Sequence, residues 1–189
     1  WYLLALEQND PSAQSSLGLM YQYGHGVVQN YDEALRLFYL SAVQKDSYAQ
    51  SNLGYMYSKG IGVEQDYKEA IKWYRLSAEQ KNSTGQYNLG KMYAEGKGVG
   101  KDYQEAIKLY TFAAEQRNSE AQKALGDLYF SGEGVPEDHL LARMWYELCI
   151  SNGLNNSLKS IKTLENIMTS SQIEKAKELA RNWKLSKDR

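Results

Sequence analysis

The sequence repeats with a period of 36 residues. The dipeptide Leu-Gly recurs four times at this spacing. A tyrosine stands three residues after each of these glycines, and a Gly-x-Gly triplet comes next. The four copies are Leu17-Gly18 with Tyr21 and Gly24/Gly26, Leu53-Gly54 with Tyr57 and Gly60/Gly62, Leu89-Gly90 with Tyr93 and Gly96/Gly98, and Leu125-Gly126 with Tyr129 and Gly132/Gly134. A fixed period of about 20 to 50 residues is typical of stacked-repeat proteins. The chain is therefore expected to fold as an array of small, similar units.

The period defines four full repeats, which span residues 11–46, 47–82, 83–118 and 119–154. Residues 1–10 align with the end of another repeat, because Trp1-Tyr2 matches Trp73-Tyr74. We expect this segment to be the second half of a truncated repeat, with further repeats upstream. Since Trp1, Tyr2 and Leu6 then lack a first-helix partner, the exposed apolar surface predicts self-association through this end.

Each repeat is predicted to contain two antiparallel helices. Good N-cap residues precede both helices of every repeat, and the first glycine of each Gly-x-Gly stands where the first helix must end. The predicted caps are Asp10, Asp46, Asn82 and Asn118 for the first helices, and Asn30, Asp66, Asp102 and Asp138 for the second. Glu33, Glu69 and Glu105 complete an acidic form of the capping box. Gly54 and its equivalents fall in mid-helix, where glycine costs about 1 kcal/mol against alanine. That cost predicts a close helix–helix approach that a Cβ atom would block.

Residues 155–189 leave the pattern and are predicted to add one helix and a C-terminal capping helix. Thr169 and Gln172 form a capping box for the last helix. Its apolar stripe would cover the fourth repeat, as the end of a repeat array requires. The stripe consists of Ile173, Ala176, Leu179, Ala180 and Trp183.

The composition limits the classes of function. There are 22 basic and 23 acidic residues, which argues against a nucleic-acid partner because such proteins usually carry a basic excess. A single cysteine makes neither an internal disulfide nor a multi-thiolate metal site. No apolar run approaches the roughly 20 residues of a membrane span. A protein or peptide partner remains compatible with all three observations.

The repeat pattern strongly resembles the Sel1-like repeat. The shared pattern is Ala-x-x-x-Leu-Gly-x-Met-Tyr-x-x-Gly-x-Gly-Val-x-x-Asp-Tyr-x-x-Ala-x-x-Trp-Tyr-x-x-Ala-Ala, and residues 49–78 match it at nearly every position. The resemblance implies an all-α fold, a right-handed α-solenoid related to tetratricopeptide repeats, and a bacterial scaffold or adaptor. It favours a periplasmic or secreted location, although the lack of cysteine pairs also permits the cytoplasm.

The candidates for catalysis or ligand binding all have a simpler structural explanation. Gly96-Lys97-Gly98 looks like part of a phosphate loop, but a helix, not a strand, is predicted before it. His25 and His139 have no second ligand at metal spacing, and Cys149 falls in a column of small packing residues. No cofactor and no metal site are expected.

The tyrosines suggest where a partner binds. Eleven of the 16 occupy repeat columns and are expected in the core, whereas Tyr23, Tyr39, Tyr48, Tyr55 and Tyr87 do not. In solenoids of this kind the first helices line the concave groove. Positions 48, 51, 52, 55 and 59, with their equivalents in the other repeats, are expected to face it. The predicted partner-binding residues are Tyr23, Tyr48, Asn52, Tyr55, Lys59, Tyr87, Asn88, Lys91 and Lys123.

These residue types suit a peptide ligand. Tyrosines provide large contact areas, asparagine amides pair with a peptide backbone, and lysines attract carboxylates. Asn52, Asn88, Lys91 and Lys123 also lie near the columns that the peptide clamps of related tetratricopeptide proteins use. The leading hypothesis is therefore a non-catalytic protein-interaction scaffold. The alternatives are a structural spacer within a longer protein and a β-lactam-binding or β-lactam-hydrolysing enzyme, for which no Ser-x-x-Lys motif stands in a plausible context.

Overall fold

The computed structural model describes residues 9–187. Within that range it contains ten α-helices, one short 3-10 turn and no strand. The helices are α1 (Pro11–Tyr23), α2 (Tyr31–Val43), α3 (Ser47–Lys59), α4 (Tyr67–Glu79), α5 (Ser83–Glu95), α6 (Tyr103–Glu115), α7 (Ser119–Ser131), α8 (His139–Ser151), α9 (Leu158–Glu165) and α10 (Ser170–Lys187). Residues 1–8 of the predicted truncated repeat (1–10), which include the Trp1, Tyr2 and Leu6 invoked for self-association, lie outside the described residues.

Helices α1 to α5 form one compact unit, and helices α6 to α10 form a second. Consecutive helices pack against each other throughout the first unit and from α6 to α9 in the second, where α10 packs on α8. In the first unit α3 contacts not only α4 but also α5, the first helix of the following repeat. The all-α fold of stacked helix pairs predicted from the 36-residue period is confirmed.

The predicted helix ends are also confirmed. All eight predicted N-cap side chains accept hydrogen bonds from backbone N–H groups in the first turn of their helices. Gly24, Gly60, Gly96 and Gly132 end the first helices in the left-handed conformation, with φ between 67° and 73°. Local sequence signals therefore determine where the first eight helices begin and where the four first helices end.

The acidic capping box is only half formed. The Glu33 N–H donates to the Asn30 side chain at 3.1 Å, but the Glu33 carboxylate pairs with Arg36. The reason is that the Asn30 N–H already donates to the Tyr21 carbonyl at 2.9 Å. Glu69 and Glu105 likewise pair with cations three residues later, Lys72 and Lys108. A full capping box also needs a hydrogen bond from the N-cap N–H to the Glu carboxylate, and that part of the prediction is wrong.

An aromatic ring of the second helix lies over the mid-helix glycines Gly18, Gly54 and Gly126. A Cβ atom added at Gly54 would lie 2.6 Å from the Tyr74 ring, and one at Gly18 would lie 2.8 Å from the Phe38 ring. A Cβ atom added at Gly126 would lie 2.5 Å from the Tyr146 ring. The predicted close approach is confirmed, and the group that requires it is a ring rather than a backbone.

The expectation that all repeat-column tyrosines are core residues is only partly right. Tyr74, Tyr110 and Tyr146 are at most 4% exposed, whereas Tyr31 is 40% exposed. The Tyr31 backbone and Cβ lie against Gly62 of the next repeat, where an added Cβ would approach to 2.6 Å. Gly98 and Gly134 lie against Tyr67 and Tyr103 in the same way, so the second glycine of these three triplets allows neighbouring repeats to approach, and the tyrosine beneath it stays partly in solvent.

A column of buried glutamines, which the sequence analysis missed, connects the helices further. Gln50 is 3% exposed; its Nε2 donates to the Ala42 carbonyl, and its Oε1 accepts from Gln80 Nε2 at 2.7 Å. Gln14 accepts from Gln44 in the same way, at 2.9 Å. Buried amides need partners, so the pairing supplies each glutamine with hydrogen bonds in the core.

The predicted closing helix packs on the fourth repeat. Helix α10 contacts α8, and the Trp183 ring meets Trp145 edge-on with centroids 5.4 Å apart. Its capping box is present, because Gln172 N–H donates to Thr169 Oγ1 while Gln172 Oε1 accepts from Thr169 N–H. Arg143 lies beneath α9, 2% exposed, in a column that is apolar in the other repeats.

The buried Tyr74 hydroxyl predicts a pH dependence of stability. Desolvation by burial raises the pKa of Tyr74 to about 12, although a hydrogen bond from its neighbour Ser58 opposes the shift. A folded-state pKa above the unfolded value of about 10 stabilises the fold below pH 10, and this contribution is lost as pH rises through 12. The loss is at most about 3 kcal/mol.

Tyr74→Phe removes this titration, and Phe38 shows that the fold accepts phenylalanine at the equivalent position of the first repeat. We expect the variant to be slightly less stable than wild type at pH 8, because the Ser58–Tyr74 hydrogen bond of 3.2 Å is lost. At pH 12 it should be at least as stable. Urea unfolding at the two pH values measures the difference; a constant gap would contradict the expectation.

Candidate functional site

Eight of the nine predicted partner-binding residues lie on the first helices of the first unit. Helix α3 contributes Tyr48 and Tyr55, which are 68% and 37% exposed. Lys59, in the last turn of α3, is exposed, and Asn52 is half-buried. We refer to Tyr48, Asn52, Tyr55 and Lys59, with Asn88 and Lys91 of α5, as the first-helix surface.

Helical periodicity explains why α3 exposes two tyrosines. Ala49, Leu53 and Met56 are at most 1% exposed and form its buried side. Tyr48 and Tyr55 are seven residues apart, two helical turns, so they project from one face about 10 Å apart along the axis. Exposed tyrosines on a packed helix supply contact area at small conformational cost.

Helix α5 adds polar groups beside this face, because α3 and α5 contact each other. Asn88 and Lys91 are half-buried. Lys91 Nζ lies 3.8 Å from Glu95 Oε1, and the same Glu95 carboxylate also binds Lys97 Nζ at 2.6 Å. Glu95 is therefore shared between two lysines and lies closer to Lys97 than to Lys91.

Of the other three predicted residues, Tyr23 is exposed on a first helix as expected, whereas Tyr87 and Lys123 are partly covered. Tyr23 on α1 is 56% exposed and stacks on His25, with ring centroids 5.7 Å apart. Tyr87 is half-buried and makes contacts within the protein. Lys123 belongs to α7 in the second unit, and its Nζ binds Asp127 Oδ2 at 2.6 Å. Asp127 in turn accepts a hydrogen bond of 2.8 Å from Tyr146, so Lys123 belongs to an internal network.

One predicted column is wrong. Position 51 and its equivalents were expected to face the groove, but Ser51 is 3% and Ser15 is 7% exposed. Helix α3 packs against α5 as well as α4, so its buried arc is wider than packing of two helices predicts. Tyr87 belongs to the same column, which accounts for its partial burial.

The candidates for catalysis or ligand binding have structural roles. Lys97 binds Glu95, and His139 Nε2 lies 2.7 Å from a Glu137 carboxylate oxygen. Cys149 is fully buried, accepts a hydrogen bond of 3.2 Å from Ser157 Oγ, and has a thiol pKa that burial raises. A raised pKa disfavours the reactive thiolate. Between residues 9 and 187, the side chains of His, Cys, Asp and Glu form no group of three suited to hold a metal ion.

No helix in the described part of the chain has the length and apolar character that crossing a membrane requires.

Comparison with known proteins identifies the repeat. The sequence profile of the Sel1 repeat matches residues 11–46, 47–82, 83–118 and 119–154. The chain belongs to the Sel1 repeat family. Sel1 repeat proteins are generally protein-interaction modules. No match was found among curated protein sequences.

Solved structures of bacterial Sel1 proteins have the same fold. A protective antigen of uropathogenic Escherichia coli with an SLR fold is 34% identical, with a TM-score of 0.89 over 97% of this chain. The chain spans only 39% of that antigen's length. A Sel1 repeat protein from Oxalobacter formigenes is also 34% identical, with a TM-score of 0.82; the match covers 100% of this chain and 76% of that one.

A more distant similarity concerns the fold alone. An immunity protein from Pseudomonas aeruginosa is 18% identical, with a TM-score of 0.61, and the match covers 99% of this chain and 72% of that one.

Proposed function

We propose that this Sel1 repeat protein is a non-catalytic adaptor that binds a peptide or protein segment on its first-helix surface. The observation that carries the proposal is the pair of exposed tyrosines, Tyr48 and Tyr55, on one face of α3. Tyr48 keeps 68% and Tyr55 37% of its surface accessible to a partner. Aromatic residues that remain exposed beside polar side chains are enriched where proteins bind each other.

The neighbouring polar groups define the ligand more closely. Asn52 and Asn88 present amide groups that both donate and accept, which suits a peptide backbone. Lys59 and Lys91 place positive charge beside the tyrosines, which suits a segment with at least one carboxylate. We therefore expect a segment that combines apolar or aromatic residues with acidic ones.

Tyr48→Ala combined with Tyr55→Ala tests the proposal. Both side chains are exposed, so the double variant should keep the wild-type melting temperature. A central interface tyrosine contributes about 2 kcal/mol or more on truncation, so binding should weaken well over tenfold. Peptides selected from a random displayed library on the wild-type protein supply the ligands, and calorimetry measures the affinity. Tyr87 is unsuited to this test because its partial burial would mix binding with folding.

Two controls separate binding from folding. Tyr39→Ala removes a tyrosine that is 53% exposed on the second helix α2, and binding should be unchanged. Tyr57→Ala removes a side chain packed on the core cluster around Leu53 and Met56, and should lower the melting temperature. Selected peptides that bind the Tyr48/Tyr55 variant as tightly as wild type would refute the proposed surface. A library that yields no binder would favour the spacer alternative.

A further inference from the structure

The near-neutral charge of the chain conceals a marked separation of charge. Residues 155–189 carry eight Lys or Arg against four Asp or Glu, a net charge of +4. Residues 1–154 carry 14 against 19, a net charge of −5. The capping segment is therefore the cationic part of an otherwise acidic sequence.

Part of this positive charge lines a cleft between α8 and α10. The cleft has a volume of about 320 Å³. Leu148 and Ala180, which are 2% and 7% exposed, contribute an apolar floor. Lys177, Arg181 and Lys184 of α10 form its cationic wall.

The carboxylate on the opposite wall does not neutralise these cations. Glu147 lines the cleft, but its Oε1 accepts from both Nε and Nη2 of the buried Arg143, at 3.2 and 3.0 Å. Lys177 binds Glu174 at 2.9 Å. Within residues 9–187, no carboxylate lies within 4.0 Å of the Arg181 or Lys184 nitrogens. Arg181 and Lys184 thus have no ion-pair partner at contact distance among these residues. The Lys177 hydrogen bond lowers the pKa of Glu174 most, and the Arg181 charge helps to lower it from a longer range.

We propose that this cleft binds an acidic segment of a partner protein, with an apolar residue placed between its carboxylates. Lys177, Arg181 and Lys184 follow the spacing i, i+4 and i+7, so they form a row about 10 Å long. A row of cations beside an apolar floor fits an extended or helical acidic segment. A single phosphate group would instead need cations that converge on one point.

The test uses a labelled twelve-residue peptide, three copies of Glu-Leu-Ser-Glu, and the full chain. Fluorescence anisotropy measures binding at low and at physiological salt. We expect Arg181→Gln with Lys184→Gln to weaken binding at least tenfold. Lys159→Gln with Lys162→Gln is the matched control: it removes the same charge from exposed positions on α9 and should change the affinity less than twofold.

A variant that leaves the net charge unchanged tests whether the peptide occupies the cleft itself. Ser151 is exposed and lines the cleft, so Ser151→Trp should fill it and weaken binding at least tenfold without changing the net charge. Circular dichroism melts check that each variant remains folded. The Tyr48/Tyr55 double variant separates this site from the first-helix surface: in that background, Arg181→Gln with Lys184→Gln should still weaken binding of the peptide at least tenfold.

Several results would overturn the proposal. The first is a peptide that does not bind the wild-type chain, and the second is wild-type affinity in Ser151→Trp. The third is an equal loss of affinity in the Arg181/Lys184 and the Lys159/Lys162 double variants. The fourth is equal binding of a control peptide in which every Glu is replaced by Gln. Displacement of the peptide by millimolar inorganic phosphate or by anionic lipid vesicles would assign the cleft to a different ligand.

Discussion

Gly54→Leu should lower the free energy of unfolding by about 1–2 kcal/mol. A Cβ atom at this position would lie 2.6 Å from two carbons of the Tyr74 ring, and Tyr74 is only 1% exposed, so the ring has little room to move. Overpacking of this kind costs about 1–3 kcal/mol, and sometimes more. Leucine gains nearly 1 kcal/mol of helix propensity over glycine, which offsets only part of that cost.

Two leucine variants serve as controls for Gly54→Leu. Lys59→Leu changes an exposed residue in the last turn of the same helix and should cost no more than about 0.5 kcal/mol. Gly100→Leu changes a glycine whose added Cβ would meet no atom within 4 Å, so it should cost equally little. Urea unfolding measures all three. Equal losses at Gly54 and Lys59 would mean that the Tyr74 ring yields to the added side chain.

The helix ends could be predicted from sequence because each depends on a few neighbouring residues. Asp46 caps α3 and Gly60 ends it through groups less than five residues away. The failed half of the capping box shows the limit of such local signals. Glu33 has the right spacing, but the Asn30 N–H has a partner in the preceding helix, which a local pattern does not reveal.

The glutamine column was accessible from the sequence and was missed. Gln14, Gln50, Gln86 and Gln122 recur with the same period as the glycines and directly follow the small first-helix column. All four are at most 5% exposed. A polar residue type repeated without change in every repeat was the available signal for a buried hydrogen-bonding role.

The exposure of residues on the candidate surface could be predicted from the sequence only where the pairing of the two helices within one repeat determines it. Tyr48 and Tyr55 lie opposite the buried side of α3, and helical periodicity places them there. Ser51 is 3% exposed, and α3 contacts α5 of the next repeat as well as its partner α4. Spacing within one helix carries no information on that third contact.

The cationic cleft depends on the contact between α8 and α10, and the repeat pattern of the sequence contains no equivalent of α10. Leu148 is 2% exposed, although its equivalents Leu76 and Phe112 are 43% and 44% exposed. Residue type therefore does not distinguish the covered position from the exposed ones. The difference lies in α10, which packs on α8 in the second unit.

Removing α10, by ending the chain at Thr169, should destabilise the second unit strongly. The deletion uncovers Trp145 and Leu148, which are 7% and 2% exposed in the full chain. Burial of a large apolar side chain contributes about 1.5–3 kcal/mol, so the two together represent about 3–6 kcal/mol. Typical domains are stable by only about 5–15 kcal/mol, and the uncovered surface should also promote association.

Thermal unfolding followed by circular dichroism, with light scattering for mass, measures the effect of the deletion. We expect a lower melting temperature and a higher mass than for the full chain. Trp183→Ala removes only the ring that meets Trp145 at 5.4 Å and should produce a smaller loss of the same kind. Lys175→Ala, at an exposed position of α10, should leave both measurements unchanged. A truncated chain that stays monomeric and melts at the wild-type temperature would show that α8 is stable without its cover.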